Sequence, residues 1–108
     1  MNPPEDRAMQ ESSDSAQPSL RRNTAARRFE LALGGEVAGF INYRERDGKL
    51  ELVHTEVAPR HEGQGLAGQL TRFALQEAER EGRKVVPSCP YVAAWIERHP
   101  EFGKLVAH

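Results

Sequence analysis

The distribution of large apolar residues limits the part of this chain that can fold. Residues 1–26 contain no Val, Ile, Phe, Tyr or Trp and are rich in Pro, Ser, Asp, Glu, Gln and Arg. Such a composition buries too little apolar surface to offset the entropy lost on ordering. We therefore expect residues 1–26 to form a disordered tail and residues 27–108 to form one domain with a single core.

Charge and cysteine content narrow the functional class. The formal net charge is -1, from 15 Lys and Arg against 16 Asp and Glu, which argues against nucleic-acid binding and against a polybasic membrane anchor. No apolar run approaches membrane-spanning length or resembles a signal peptide. The single cysteine excludes an internal disulfide and suits a reducing compartment. These features predict a cytoplasmic protein. We also expect a monomer or a weak homodimer.

Hydrophobic periodicity predicts a mixed α+β fold of order β-β-β-α-β-α, in which an antiparallel three-stranded meander precedes helix, strand and helix. Apolar and charged residues alternate from Arg27 onward, and the Gly-Gly and Asp-Gly pairs at 34–35 and 47–48 supply two hairpin turns. From Leu66 onward the apolar residues recur at helical spacing, and Gly82 ends the predicted helix. The predicted elements are strands 28–33, 37–43 and 50–57, helix 66–81, strand 84–86 and helix 91–98.

A glycine-rich loop before the long helix is typical of an anion site. No Ser, Thr, Asp or Asn caps the helix, so its first N–H groups lack a side-chain partner. Gly63, Gly65 and Gly68 leave these donors uncovered, and Arg60 and His61 would add positive charge nearby. A plain turn whose N–H groups face water is the alternative.

The spacing of these glycines also matches the dinucleotide fingerprint G-x-G-x-x-G. That motif requires a parallel βαβ unit and an acidic residue after the next strand. The preceding strands are joined by hairpins, and the next strand leads into the Pro-Ser-Cys run at 87–89. No Lys-Ser or Lys-Thr pair follows the glycines, so both the dinucleotide fold and the P-loop are excluded.

The loop and the residues before it resemble a known coenzyme-binding motif. Residues 57–67 read Val-Ala-Pro-Arg-His-Glu-Gly-Gln-Gly-Leu-Ala. This run resembles the acetyl-CoA loop of the GNAT N-acetyltransferase superfamily, which has the form Val-x-Pro-x-x-Arg/Gln-Gly-x-Gly-Leu/Ile-Gly/Ala. Glu62 stands where that pattern has Arg or Gln. The element order agrees over residues 28–102, and the Pro-Ser-Cys-Pro run at 87–90 is similar to that of the short, single-domain GNAT-like group.

The resemblance implies a GNAT-like fold and an acetyl-CoA-dependent N-acetyltransferase with an unidentified amine acceptor. A primary amine would attack the thioester carbonyl directly, while the pantetheine arm lies between the splayed third and fourth predicted strands. The N–H of Val57 would donate to the developing oxyanion. The coenzyme-binding residues that the resemblance implies are Val57, Gly63, Gln64, Gly65, Leu66 and Ala67.

Glu56 is the first candidate for proton transfer. It shares the strand parity of Leu50 and Leu52, so we expect it on a buried face of the sheet. A carboxylate there must be paired or lie in a cleft. The two interpretations are a general base beside the acetyl group and an ion pair with Arg60 or Lys84.

Cys89 and Tyr91 are the other candidates, placed after the last predicted strand. Cys89 would protonate the coenzyme thiolate or carry the acetyl group as a thioester. The alternative is a structural role, in which Cys89 packs as a small buried apolar side chain. Tyr91 is a second candidate acid or a core aromatic, and His54 is a reserve base. Three further residues are assigned to core packing: Trp95, Ile96 and Phe102.

Two other functional classes remain open from the sequence. A CoA- or acyl-CoA-binding module without turnover would use the same loop, and a plain interaction domain would bind no coenzyme. The four histidines and the single cysteine show no metal-ligand spacing. We therefore expect no metal site.

Overall fold

Residues 17–107 are described by the computed structural model of the chain. They form one five-stranded sheet and two α-helices. None of the helices in this part of the chain has the length and apolarity needed to cross a membrane. The elements are β1 (Ser19–Asn23), β2 (Arg28–Leu33), β3 (Glu36–Arg46), β4 (Lys49–Val57), a 3₁₀ turn (Pro59–His61), α1 (Leu66–Arg80), β5 (Val85–Pro87), α2 (Pro90–Arg98) and a second 3₁₀ segment (Pro100–Leu105).

The strands lie in the sheet in chain order. β1 to β4 pair antiparallel through successive hairpins, and β5 pairs parallel with β4 after the crossover through α1. The predicted meander is therefore present but has four strands rather than three. The predicted helix–strand–helix sequence follows it, and the sheet as a whole is mostly antiparallel.

The core lies between one face of the sheet and both helices. Cross-strand partners share a face, so the Phe29–Ile41 and Tyr43–Leu52 pairs point together toward α1. Phe29 meets Phe73 of α1 edge to face, with ring centroids 5.8 Å apart. The core roles predicted for α2 and the segment after it are confirmed by the burial of Trp95, Ile96 and Phe102.

The segment before residue 27 corrects the predicted disordered tail. Residues 19–23 form β1, which pairs with β2 along its whole length. Leu20 packs against the core from the face that β1 shares with the helices. The prediction is wrong for residues 17–26, and residues 1–16 lie outside the described part of the chain.

Arg22 explains why a segment without large β-branched or aromatic residues still forms a strand. The Arg22 guanidinium carbon lies 5.4 Å from the ring centroid of Phe29 and 4.9 Å from that of Tyr43. Arg22 also donates a hydrogen bond of 3.1 Å to the Tyr43 hydroxyl. The stem and the flat cation thus cover aromatic surface that a large apolar residue would otherwise cover.

A bulge in β4 reverses the alternation of its side chains. Asn42 of β3 pairs with His54, and the next residue, Tyr43, pairs with Leu52. Val53 therefore has no residue opposite it. One inserted residue exchanges the two faces of a strand beyond the insertion. The residues after Val53 consequently face the opposite way from what the leucines before it predict.

The sheet face away from the helices carries a buried carboxylate. Glu30 is 1% exposed and accepts hydrogen bonds from Arg28, Arg21 and Asn23 at 2.6, 2.8 and 3.0 Å. Burial alone raises the pKa of Glu30, but the hydrogen bonds from Arg28, Arg21 and Asn23 outweigh it and lower the pKa from 4.5 to about 2. The charged form is therefore the one that the fold stabilises.

We expect this carboxylate to contribute to acid stability. Because its pKa is lower in the folded than in the unfolded chain, its contribution is complete above about pH 4.5 and is lost as pH falls toward 2. Glu30→Gln should lower the free energy of unfolding at pH 7 by about 1–3 kcal/mol. It should also flatten the pH dependence of that free energy in urea titrations between pH 7 and 2.

Glu36→Gln is the matched control, since Glu36 is largely exposed and its ion pair is with the exposed Arg60. It should leave both stability and pH dependence unchanged. A Glu30→Gln protein that loses stability with acid as steeply as the parent would contradict the assignment.

The contribution of β1 can be measured by truncation. Removing residues 1–26 should lower the melting temperature by several degrees relative to removing residues 1–16, because the longer deletion takes away β1 and the Arg22 side chain that covers Phe29 and Tyr43. Thermal unfolding followed by circular dichroism gives the comparison. Equal melting temperatures for the two truncations would show that β1 does not contribute to the stability of the fold.

Candidate functional site

The parallel ladder between β4 and β5 stops after three residue pairs, of which Leu52–Pro87 is the last. The Ser88 N–H donates to the carbonyl oxygen two residues back at 3.0 Å, which turns the chain out of the strand. The Cys89 N–H then makes a final 2.9 Å bond to the Leu52 carbonyl. No described strand pairs with this edge of residues 53–57, and the space between it and the start of α2 is termed the wedge.

Backbone donors of β4 point into the wedge. The Ala58 N–H donates to the Ala38 carbonyl of β3 at 2.8 Å. Because successive N–H groups of a strand point to opposite edges, the N–H of Val57 is directed away from β3, and so is that of Thr55. Both therefore face the edge that β5 leaves unpaired.

α1 begins without a side-chain cap, as the sequence predicts. Gly65 is the N-cap residue at φ 76°, and the first helical hydrogen bond runs from the Gln69 N–H to the Gly65 carbonyl at 3.2 Å. The N–H groups of residues 66–68 therefore have no partner within the helix. Gly63, at φ 85°, also has the left-handed backbone that glycine adopts without strain.

The glycine loop and the first turn of α1 border a cavity of about 300 Å³, termed the loop pocket. It joins the first turn of α1 to the end of β4 and the start of α2. The predicted residue Gln64 is exposed and does not line it. The lining residues are Val57, His61, Glu62, Gly63, Gly65, Leu66, Ala67, Gly68 and Tyr91.

The structure separates two side chains that the sequence analysis placed beside the loop. Arg60 was expected to add charge to the loop but donates to Glu36 at 2.6 Å on the surface. His61 lines the loop pocket, and its Nδ1 is buried with no hydrogen-bond partner among the described residues. A buried ring nitrogen of this kind is satisfied when a ligand or water supplies the partner. The sequence shows the histidine but not its burial.

Cys89 lies at the closed end of the wedge. Its Sγ is 3.3 Å from the Thr55 Oγ1, and its side chain is almost fully buried. Tyr91 lies at the open end, where its hydroxyl is 3.7 Å from the position that a Cβ on Gly68 would occupy. The core role considered for Tyr91 is wrong, because the residue is 38% exposed.

Glu56 is not on the buried face. The bulge at Val53 turns it to the face away from the helices, where its side chain is 62% exposed. Its Oε1 lies 3.2 Å from the Nε2 of His54, so the two polar side chains form an exposed pair. The ion pair considered with Arg60 or Lys84 is also wrong, since both cations bond elsewhere.

Comparison with solved structures shows the fold. A GCN5-like putative N-acetyltransferase from Staphylococcus aureus matches with a TM-score of 0.64 at 18% identity, covering 82% of this chain and 87% of that one. A ribosomal-protein-alanine N-acetyltransferase from Brucella melitensis biovar Abortus 2308 matches with a TM-score of 0.55 at 20% identity, covering 81% and 67%. No curated protein gives a significant match.

The family is shown by sequence. The family model described as GCN5-related N-acetyl-transferase matches residues 28–105, most of the chain and nearly all of the described sheet and helices. The match spans β2 to the second 3₁₀ segment and so contains the wedge and the loop pocket. With this match and the shared fold, the chain belongs to the GCN5-related N-acetyltransferase family and is an acyltransferase.

Proposed function

We propose that the protein transfers the acetyl group of acetyl-CoA to a primary amine by direct attack of the amine. One observation carries this proposal: the uncapped first turn of α1 opens onto the wedge, where β4 has unpaired backbone donors. A ligand with a diphosphate and an amide-containing arm finds partners for both parts in one continuous site. CoA has both parts, a diphosphate and a pantetheine arm that contains amide groups.

The diphosphate would bind the free N–H groups of residues 66–68 at the positive end of the helix dipole. His61 Nδ1 offers one more polar contact from the side of the loop pocket. The Glu62 side chain opposes this binding, because it adds negative charge to the same pocket. We therefore expect the backbone, rather than residue 62, to supply most of the affinity.

The acyl-pantetheine arm would run along β4 from the loop toward the closed end of the wedge. Residues 53–57 span about 13 Å at about 3.3 Å per residue, which the arm can cover. The thioester then lies nearer Thr55 and Cys89 than Val57. The Val57 N–H would bind an amide of the arm, and the Thr55 N–H, rather than that of Val57, would receive the oxyanion.

The chemistry follows from this placement. The nitrogen lone pair of the neutral amine forms a bond to the thioester carbon, and the carbon–sulfur bond breaks with its electron pair on sulfur. Cys89 would give its proton to the departing thiolate. The attacking nitrogen loses a proton as the amide forms, and the exposed Glu56–His54 pair on the opposite face of β4 would accept it. Exchange with solvent then removes that proton from the pair and returns one to Cys89.

The overall reaction is tested by incubating the protein with acetyl-CoA and a panel of primary amines. Release of free CoA thiol together with the acetylated amine, detected by a thiol reagent and mass spectrometry, is the expected result. Tight binding of acetyl-CoA without thiol release across polyamines, lysine peptides and small amines would instead support a binding module.

The loop is tested by two isosteric changes of opposite charge. Glu62→Gln should strengthen acetyl-CoA binding several-fold, because it removes a charge that repels phosphate. Gln64→Glu should weaken binding by a smaller factor, about twofold, because Gln64 is exposed outside the loop pocket and solvent screens a charge there. Both avoid the strain that a side chain at Gly65 would meet at φ 76°.

Isothermal titration calorimetry measures both dissociation constants. Glu97→Gln on the exposed side of α2 serves as the control for net charge and should leave the constant unchanged. Affinities that respond equally to Glu62→Gln and Glu97→Gln would rule out a phosphate at this loop.

Cys89 and Tyr91 form a matched pair for separating chemistry from binding. Cys89→Ala should lower kcat by at least about a hundredfold with little change in the dissociation constant of acetyl-CoA. Tyr91→Phe should raise that constant and leave kcat nearly unchanged, since Tyr91 lies beside the loop pocket. Steady-state kinetics and calorimetry give both quantities.

The reverse pattern, in which Tyr91→Phe lowers kcat and Cys89→Ala does not, would show that Tyr91, at the open end of the wedge, is the proton donor. Mass spectrometry after mixing the parent protein with acetyl-CoA adds a separate test. A protein that gains one acetyl group on Cys89 would show a thioester carrier instead of direct attack.

A further inference from the structure

A cavity of about 270 Å³ lies on the sheet face away from the helices and is termed the open-face cavity. Phe40 of β3 pairs with Glu30 of β2 on one side and with Glu56 of β4 on the other. Because cross-strand partners share a face, these three side chains lie on the same side of the sheet. Arg28, Val37, Phe40 and Glu56 are among the residues that line the cavity.

The Arg28 guanidinium supplies the positive end of the open-face cavity. Its carbon lies 4.5 Å from the ring centroid of Phe40, so the cation is stacked above β3. The Arg28 Nε donates to Glu30 at 2.6 Å, but Arg21 donates to the same carboxylate, so two arginines share one negative charge. No other carboxylate of residues 17–107 lies within ion-pair distance of Arg28. Its Nη groups are therefore suited to bind a second anion.

Glu56 supplies the negative end. Its side chain is 62% exposed, and it lies between Thr55 and Val57, whose N–H groups face the wedge. The ring of Phe40 and the exposed side chain of Val37 add apolar surface to the same cavity. Since the guanidinium lies above β3 and Glu56 belongs to β4, one strand spacing, about 5 Å, separates the positive end from the strand that borders the wedge.

We propose that the open-face cavity binds the acceptor, and that the acceptor is an ω-amino acid, whose primary amine lies several bonds from its carboxylate. This inference rests on the proposed function. The carboxylate binds the Nη groups of Arg28, the methylene chain lies over Phe40, and the amine reaches the thioester past Glu56, from the open side of β4.

The span of the cavity sets the length of the acceptor. Between the guanidinium and the wedge lie one to two strand spacings, about 5–10 Å, which a chain of several methylene groups covers. An α-amino acid is too short to reach both ends. A diamine has the length, but it would place its second ammonium group against Arg28.

Three amines of equal chain length isolate the carboxylate: 6-aminohexanoate, hexylamine and 1,6-diaminohexane. Release of CoA thiol gives kcat/KM for each amine with the parent protein, with Arg28→Gln and with Arg21→Gln. Arg21→Gln is the matched control, because Arg21 has the same charge and also donates to Glu30 but does not line the cavity. Melting curves fix an assay temperature at which both variants are folded.

The parent should prefer 6-aminohexanoate over hexylamine by at least about tenfold in kcat/KM, with 1,6-diaminohexane the poorest acceptor. Arg28→Gln should remove the preference, and Arg21→Gln should retain it. A second test needs no variant. The parent should use 3-aminopropanoate far less well than 6-aminohexanoate, because the shorter chain does not span the cavity.

The outcomes separate this inference from the proposed function. Equal kcat/KM for 6-aminohexanoate and hexylamine, or a preference that survives Arg28→Gln or is also lost in Arg21→Gln, would overturn the acceptor class while acetyl transfer stands. Thiol release with other amines but with none of this series would overturn it in the same way. Bound acetyl-CoA with no thiol release from any primary amine would overturn acetyl transfer and the acceptor class together.

Discussion

The early end of the β4–β5 ladder is the constraint on which the site depends. Pro87 has no N–H to extend the pairing, and the turn at Ser88 directs the chain into α2. Had the ladder continued, β5 would occupy the N–H groups of Thr55 and Val57, which point to that edge. The same local sequence that ends a strand therefore leaves an unpaired edge, and the crossover helix α1 places its uncapped N-terminus next to that edge.

The bulge at Val53 divides the chemistry between the two faces of β4. Beyond it, Thr55 meets Cys89 on the helix side, whereas His54 and Glu56 lie together on the open side. In the proposed reaction the coenzyme sulfur and its proton donor are thus on one face, and the groups that accept the amine proton are on the other. One inserted residue produces this separation, because it reverses the alternation in the middle of the strand.

Local signals in the sequence predict much of this fold. The hairpin turns, the helix predicted at 66–81 and observed at Leu66–Arg80, and its missing cap follow from glycine placement and helical spacing. The sequence does not predict β1, because the Arg22 side chain covers aromatic core surface that an apolar side chain usually covers. The orientation of Glu56 is missed because a bulge is a property of strand pairing rather than of one strand. The open-face cavity requires contacts between strands, such as Arg28 over Phe40, that no local pattern contains.

The central claim is that acetyl-CoA occupies the wedge, with its diphosphate on the first turn of α1. Mapping of backbone amide chemical shifts in the ¹⁵N-labelled protein during an acetyl-CoA titration tests it most directly. The largest changes are expected on the amides of Thr55, Val57 and residues 66–68. Saturable binding that leaves these amides unchanged and shifts only residues of β1 and β2 would contradict it.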